Sequence, residues 1–185
     1  MCKAVVLSAL AVCALSSLHA HAELPIVYSI SGQAAHINIK ASDERLAPNV
    51  FQLRGKIAAT EGMLAGIGLV GLIGTPINDA QKHGKISMDI TQQSAAYISL
   101  SNPEAESDEL RFTVLLGYAS TEIDTTAIKV GSSYSDTFSD FSYGFTLQDK
   151  IIASQPLYWS LDCASYYRDA DLRIEGCGLG VNYEF

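Results

Sequence analysis

In Phe141-Ser142-Tyr143-Gly144-Phe145-Thr146-Leu147-Gln148, every second residue is aromatic or aliphatic and those between are small or polar. A period of two belongs to an extended strand, whose successive side chains point to opposite faces. The same alternation sets Phe112, Val114, Leu116 and Tyr118 against Arg111, Thr113 and Gly117, and Phe51, Leu53 and Ile57 against Gln52, Arg54 and Lys56. Turn-rich clusters interrupt it at fairly regular spacing, and no long segment carries helical periodicity. The pattern predicts an all-β chain with strands at 27–40, 49–60, 63–74, 85–100, 109–126, 139–152, 156–169 and 172–185. In the third of these, Leu64 to Ile73 is a run of Gly and aliphatic residues that a buried helix also accommodates.

The last strand bears on which way the faces point. Cys177, Leu179, Val181, Tyr183 and Phe185 share one face, and Gly176, Gly178, Gly180, Asn182 and Glu184 the other. In a soluble sandwich or a lipocalin-like barrel the apolar set turns inward and needs residues packed opposite it. In a membrane barrel it meets lipid, and the polar set lines the lumen. Small lumen residues suit a narrow interior, so the expected fold is an eight-stranded antiparallel up-and-down transmembrane β-barrel. An even strand number leaves both ends on the periplasmic side. External loops are then expected near Ser42-Asp43-Glu44-Arg45, Thr75 to Gly84, Gly131 to Asp140 and Arg168 to Asp171. Periplasmic turns fall near Glu61-Gly62, Ser101 to Glu109 and Ser154-Gln155-Pro156.

The amino-terminal end has the order of a cleaved secretory signal: Lys3, the apolar run Ala4 to Leu18, then the small-residue site Ala20-His21-Ala22. That run is too short for a membrane-spanning helix. The expected division is a signal peptide at 1–22 and a barrel domain at 23–185, with Glu23 first in the exported chain. Loss of Lys3 takes the formal net charge from −8 to −9, which argues against a nucleic-acid or anionic-lipid binder whose affinity comes from a basic surface. Cys2 and Cys13 leave with the signal, and Cys163 and Cys177 remain for an oxidising compartment.

Leu115-Leu116-Gly117-Tyr118, Ser139-Asp140-Phe141-Ser142-Tyr143-Gly144, Tyr166-Tyr167-Arg168-Asp169 and Gly178-Leu179-Gly180-Val181-Asn182-Tyr183-Glu184-Phe185 carry a family likeness. They resemble the small porin-like β-barrel family of Gram-negative outer membranes, the group that includes the barrel domain of outer-membrane protein A. The resemblance covers roughly the last 75 residues, and the first half only in rhythm. It implies the bacterial outer membrane as location and outer-membrane lipids as surroundings. It also implies that Leu179, Val181, Tyr183 and Phe185 form an assembly signal, read by the barrel-insertion machinery through strand pairing. Where the family places an acidic and a basic residue on the lumen face of strand three, this chain has Gly66, Gly68 and Leu69. A family-style lumen ion-pair network is therefore not expected, nor is the peptidoglycan-binding domain of longer relatives.

Alternation assigns Lys40, Arg54, Lys56, Arg111, Asp162, Arg168 and Glu184 to the lumen, where carboxylates should pair with the basic residues or with water. His36 and His83 have no metal-ligand spacing. His83 with Ser87 and Asp89 has the residue types of a nucleophile system, but a polar loop beside a strand supplies them by chance. No catalytic residue, metal or cofactor is expected. Tyr118, Tyr143, Trp159, Tyr166, Tyr167 and Tyr183 read as interface aromatics. A hairpin turning about Ala170 sets Cys163 opposite Cys177, leaving either a stabilising disulfide or two lipid-facing thiols. Three roles stay open: a structural or surface-interaction barrel meeting a host or envelope ligand through its loops, a narrow pore for small solutes, and a lipid-modifying enzyme.

Overall fold

The computed structural model describes residues 25–41, 44–77, 81–83, 86–102, 110–127 and 132–185. The signal segment, Asp43, Asp79 and the turn at 103–109 lie outside the described residues. In chain order the strands are β1 (Ile26–Ala41), β2 (Glu44–Leu46), β3 (Asn49–Ala59), β4 (Ile67–Pro76), β5 (Gln81–His83), β6 (Ile86–Ser101), β7 (Arg111–Ala127), β8 (Ser132–Lys150), β9 (Leu157–Arg168) and β10 (Leu172–Glu184). Eight long strands pair antiparallel in sequence, and β10 returns to β1 from Ser29↔Glu184 to Ala41↔Leu172, which closes the wall. The short β2 and β5 fold back on β1 and β6 at the external end.

Cross-strand partners fix the barrel's geometry. From Gln33 the route through β3, β4, β6 and β7 reaches Phe138 on β8; the opposite route through β10 and β9 reaches Gln148. That offset of ten residues is the shear, and with eight strands it tilts them by about 40°. Each residue then climbs about 2.5 Å along the barrel axis.

The apolar faces point outward. Leu179 is 64% exposed and Phe141 58%, whereas the intervening Ser142 is 0% exposed and Asn182 3%. This removes the inward-facing sandwich and lipocalin alternatives. Along β1 the outward positions from Ile26 to His36 climb about 25 Å, the height of a membrane barrel's apolar band.

The interior has two zones. Toward the chain termini it is polar, with Ser29, Ser31, Arg54, Thr146, Asp162 and Asn182 buried. Toward the external end it is aliphatic: Ile37, Ile39, Val50, Ile90, Ile123 and Ile174 form one cluster with Tyr166. The small, polar lumen expected from alternation thus fills only part of the barrel.

Two lumen assignments are corrected. Lys40 is exposed on the outer face, because the odd-numbered residues of β1 point inward. Arg168 is also exposed outside: a bulge between the Ile174↔Tyr167 and Glu175↔Ser165 pairs adds one residue to β9 and reverses the alternation beyond it. The third barrel strand is a strand, not a helix, but it begins at Ile67. Before it Gly62 (φ 77°) and Gly66 (φ 81°) adopt the left-handed backbone, which glycine enters without steric penalty, and turn the chain. Strand β8 begins at Ser132, well ahead of the expected 139.

Candidate functional site

Gln52, from β3, sits at the centre of a buried amide cluster. It accepts a hydrogen bond from Gln33 and donates to Gln93 Oε1 at 2.6 Å and to the Tyr166 hydroxyl at 3.0 Å. Gly176 leaves room for this Tyr: a Cβ there would lie 2.5 Å from Ile37 Cδ1 and 3.2 Å from the Tyr166 ring. One inward position nearer the termini, Arg54 Nη1 donates to Asp162 Oδ1 at 2.5 Å and to Thr146 Oγ1 at 3.0 Å. Thr146 donates to the same carboxylate oxygen. At the mouth beside the termini, Arg111 Nη1 contacts both Glu184 oxygens, at 2.8 and 2.9 Å, and its guanidinium lies 4.6 Å from the Tyr158 ring centre. Lys56 Nζ donates to Ser101 Oγ at 3.0 Å.

Chemically, this interior can hold charges in place but has little room for a guest. Between Ser31, Arg54, Lys56, Thr113 and Gln148 lies a cavity of about 20 Å³, enough for about one water. Among the described residues no cluster of His, Cys, Asp or Glu has the makings of a metal site. Ser87 stands opposite Lys82, not His83, in the β5–β6 register.

The external end is built differently. Strands β7 and β8 stay paired from Arg111↔Gln148 to Ala127↔Ser132, while β9 follows β8 only as far as Tyr143↔Ser165. The Ser132–Ser142 segment of β8 therefore has no paired strand on that side among the described residues, although the Phe138 ring packs edge-on against Tyr167 of β9 at 5.4 Å and Ser142 Oγ donates to the Ser165 carbonyl at 2.7 Å. Behind it β7 is backed by β6 up to Ile86↔Ala127. Ser135 donates to Glu122 at 3.1 Å and Ser139 to Ser120 at 2.8 Å, stiffening this projecting sheet. At the β9–β10 turn, Asp169 Oδ1 accepts from the backbone N–H groups of Asp171 and Leu172, both at 2.7 Å, and Oδ2 from the Tyr167 hydroxyl at 2.7 Å. The Tyr167 hydroxyl, then the two backbone N–H groups, hold this carboxyl below its ordinary range.

No family model matches the chain, and no curated protein matches its sequence. Solved structures do match. The attachment invasion locus protein (Ail) of Yersinia pestis, in complex with the heparin analogue sucrose octasulfate, aligns with a TM-score of 0.62 at 18% identity, over 86% of this chain and 99% of that one. Neisserial surface protein A aligns with a TM-score of 0.63 at 8% identity, over 85% of this chain and 97% of that one. The N-terminal β-barrel domain of Pseudomonas aeruginosa OprF gives 0.50 at 15%, over 84% and 97%. The chain has the fold of a small eight-stranded outer-membrane barrel.

In this outer-membrane-type barrel, Arg54, Lys56, Arg111, Asp162 and Glu184 come together inside, from β3, β7, β9 and β10. Two ion pairs, Arg54–Asp162 and Arg111–Glu184, join lumen carboxylates to basic residues without any contribution from Gly66, Gly68 or Leu69. Gln33, Gln52, Gln93 and Tyr166 were not legible as site residues. Tyr166, expected at the interface, is buried in the lumen. On the outer wall Cys177 lies opposite Cys163, and a disulfide joins them with Cα atoms 4.1 Å apart. The register above the β9 bulge, continued, would set Cys177 against Ala164; the extra residue brings Cys163 there instead. Leu179, Val181, Tyr183 and Phe185 all lie exposed on the outer face.

Proposed function

We propose that the chain is exported by cleavage after Ala22 and inserted in the bacterial outer membrane, where it serves as a structural and surface-interaction barrel. The observation that carries this reading is the projecting β6–β7–β8 sheet, with one edge of β8 outside any strand pairing from Ser132 to Ser142 among the described residues. An edge of free backbone donors and acceptors is a ready surface for another molecule. The outward apolar band supports insertion in lipid. The aliphatic plug and the water-sized cavity beneath it favour this role over passage of solutes. We assign Leu179, Val181, Tyr183 and Phe185 to recognition by the insertion machinery, and a host or envelope surface ligand to the external end. The Yersinia pestis barrel with its bound heparin analogue is a precedent for a sulfated saccharide as that ligand.

A variant in which residues 123–136 are replaced by Asn-Gly tests the reading, since Glu122 and Thr137 are already paired and an Asn-Gly turn closes such a hairpin. The shortened barrel should insert normally, and cells displaying it should lose adhesion to immobilised host-cell or heparin surfaces. Adhesion unchanged by the deletion, or stepwise conductance of the intact protein in planar bilayers, would overturn it.

A further inference from the structure

We infer that the barrel's outer wall carries a docking row for the phosphate groups of the glycolipid in the outer leaflet, a site that rests on the membrane reading above. Cross-strand register sets Arg45 on β2 opposite Lys40 on β1, Lys40 opposite Arg173 on β10, and Arg173 opposite Arg168 on β9. All four are exposed on the outer face. They are four of the 12 Lys and Arg residues in a chain of net charge −8, gathered in one row by four neighbouring strands. Among the described residues none of them is in an ion pair. Glu175, one outward position below Arg173 on the membrane side, is not joined to them either.

Asp169 and Asp171 at the adjoining turn are exposed but form no ion pair with the row. Like charges directly opposite one another across strands are unfavourable, so a row without ion pairs favours an anion. Its height says which anion. Outward positions on the neighbouring strands pass from Leu179 and Ala34, through Cys177 and His36, to Glu175 and Asn38, and then to Arg173 and Lys40. From His36, at the edge of the apolar band, Lys40 climbs about 10 Å, and Arg173 and Arg168 lie lower along the tilted row. This is the depth of lipid headgroups, and long basic side chains bend back toward the interface. A ligand dissolved outside the cell would more readily meet the projecting β7–β8 hairpin on the far side of the barrel. A lipid phosphate at the wall meets the row directly, and arginine suits phosphate recognition through its planar fork of donors.

The test compares the full-length exported chain with its Lys40→Ser/Arg45→Ser/Arg168→Ser/Arg173→Ser variant, both inserted in phosphatidylcholine bilayers doped with bis-phosphorylated or dephosphorylated lipid A. Both proteins should insert and migrate as folded barrels in each bilayer. Lipid co-purifying in small nanodiscs is then counted by mass spectrometry. The native barrel should enrich the phosphorylated form at least about fivefold over the dephosphorylated form, the factor contributed by one basic residue near an anionic surface, with about six-hundredfold as the upper bound if all four act independently. The variant should show a ratio near one, and 1 M salt should weaken the native preference. Equal retention of both lipids by the native barrel would overturn the inference, as would a preference that survives in the variant. Heparin bound through the same four residues without lipid selectivity would overturn it in favour of a soluble polyanion. Failure of the native chain to insert at all would instead overturn the membrane reading on which the inference stands.

Discussion

Replacing Asp162 with alanine removes the carboxylate that neutralises Arg54 in the middle of the lumen. The pair is buried, at 8% exposure for Arg54 and 4% for Asp162, and joined at 2.5 Å. Breaking a buried pair from one side leaves a desolvated charge, so Asp162→Ala should lower stability by about 3–5 kcal/mol. Thr146 loses its acceptor in the same step. Removing both charges is a different perturbation: Arg54→Met/Asp162→Leu leaves no orphan ion and should be neutral or more stable by about 1–4 kcal/mol. Urea titration of the barrel in phosphatidylcholine vesicles would read both changes through the emission of Trp159, the chain's one tryptophan, on the same strand as Asp162. A loss below about 1 kcal/mol for the single variant would refute the reasoning, as would a double variant no more stable than the single one.

Other expectations follow from the wall and the turns. The Cys163–Cys177 disulfide closes a separation of 14 residues, and Cys177→Ser should reduce stability by about 2–3 kcal/mol in the same titration. An equal midpoint for native and variant would show that the bond adds nothing. Because the bond lies on the lipid-facing wall, a water-soluble reductant should open it in urea and spare it in intact membranes, as read by thiol alkylation. Asp169 should titrate below 3.8, its ordinary value: the turn gains stability from its ionised carboxylate above that pH and loses it as pH falls through the depressed folded value. A carboxyl carbon resonance with its midpoint at or above 3.8 would contradict this. Gly117→Val should impair folding yield, since a Cβ there would lie 2.0 Å from the Ala96 carbonyl oxygen of the adjoining strand. Native yield on refolding into vesicles would contradict it.

The strands were legible because alternation is strong wherever one face meets lipid, as in Phe141 to Gln148. The phase of that alternation was not legible beyond the membrane. On β1 the outward face changes from Ile26, Tyr28 and Ile30 to His36, Asn38 and Lys40, while the inward face changes from Ser29, Ser31 and Gln33 to Ala35, Ile37 and Ile39. Above the apolar band the barrel is ordered like a water-soluble one, so the rule that polar means lumen fails there and misplaces Lys40. Arg168 was lost for another reason: one inserted residue at the β9 bulge reverses facing, and nothing in Ser165-Tyr166-Tyr167-Arg168 announces it. The early start of β8 was hidden because Ser132 to Asp140 has the composition of a loop, although Tyr134 and Phe138 alternate within it. Gln33, Gln52 and Gln93 form a site only once four strands, β1, β3, β4 and β6, are in register, which no local pattern encodes.

That the apolar faces of these strands meet lipid is tested most directly by expressing the full chain in a Gram-negative host and running its outer-membrane fraction on SDS gels with and without boiling. A closed membrane barrel should run as a compact species before boiling and shift to its full mass afterwards. A soluble periplasmic product with the same migration under both conditions would contradict it.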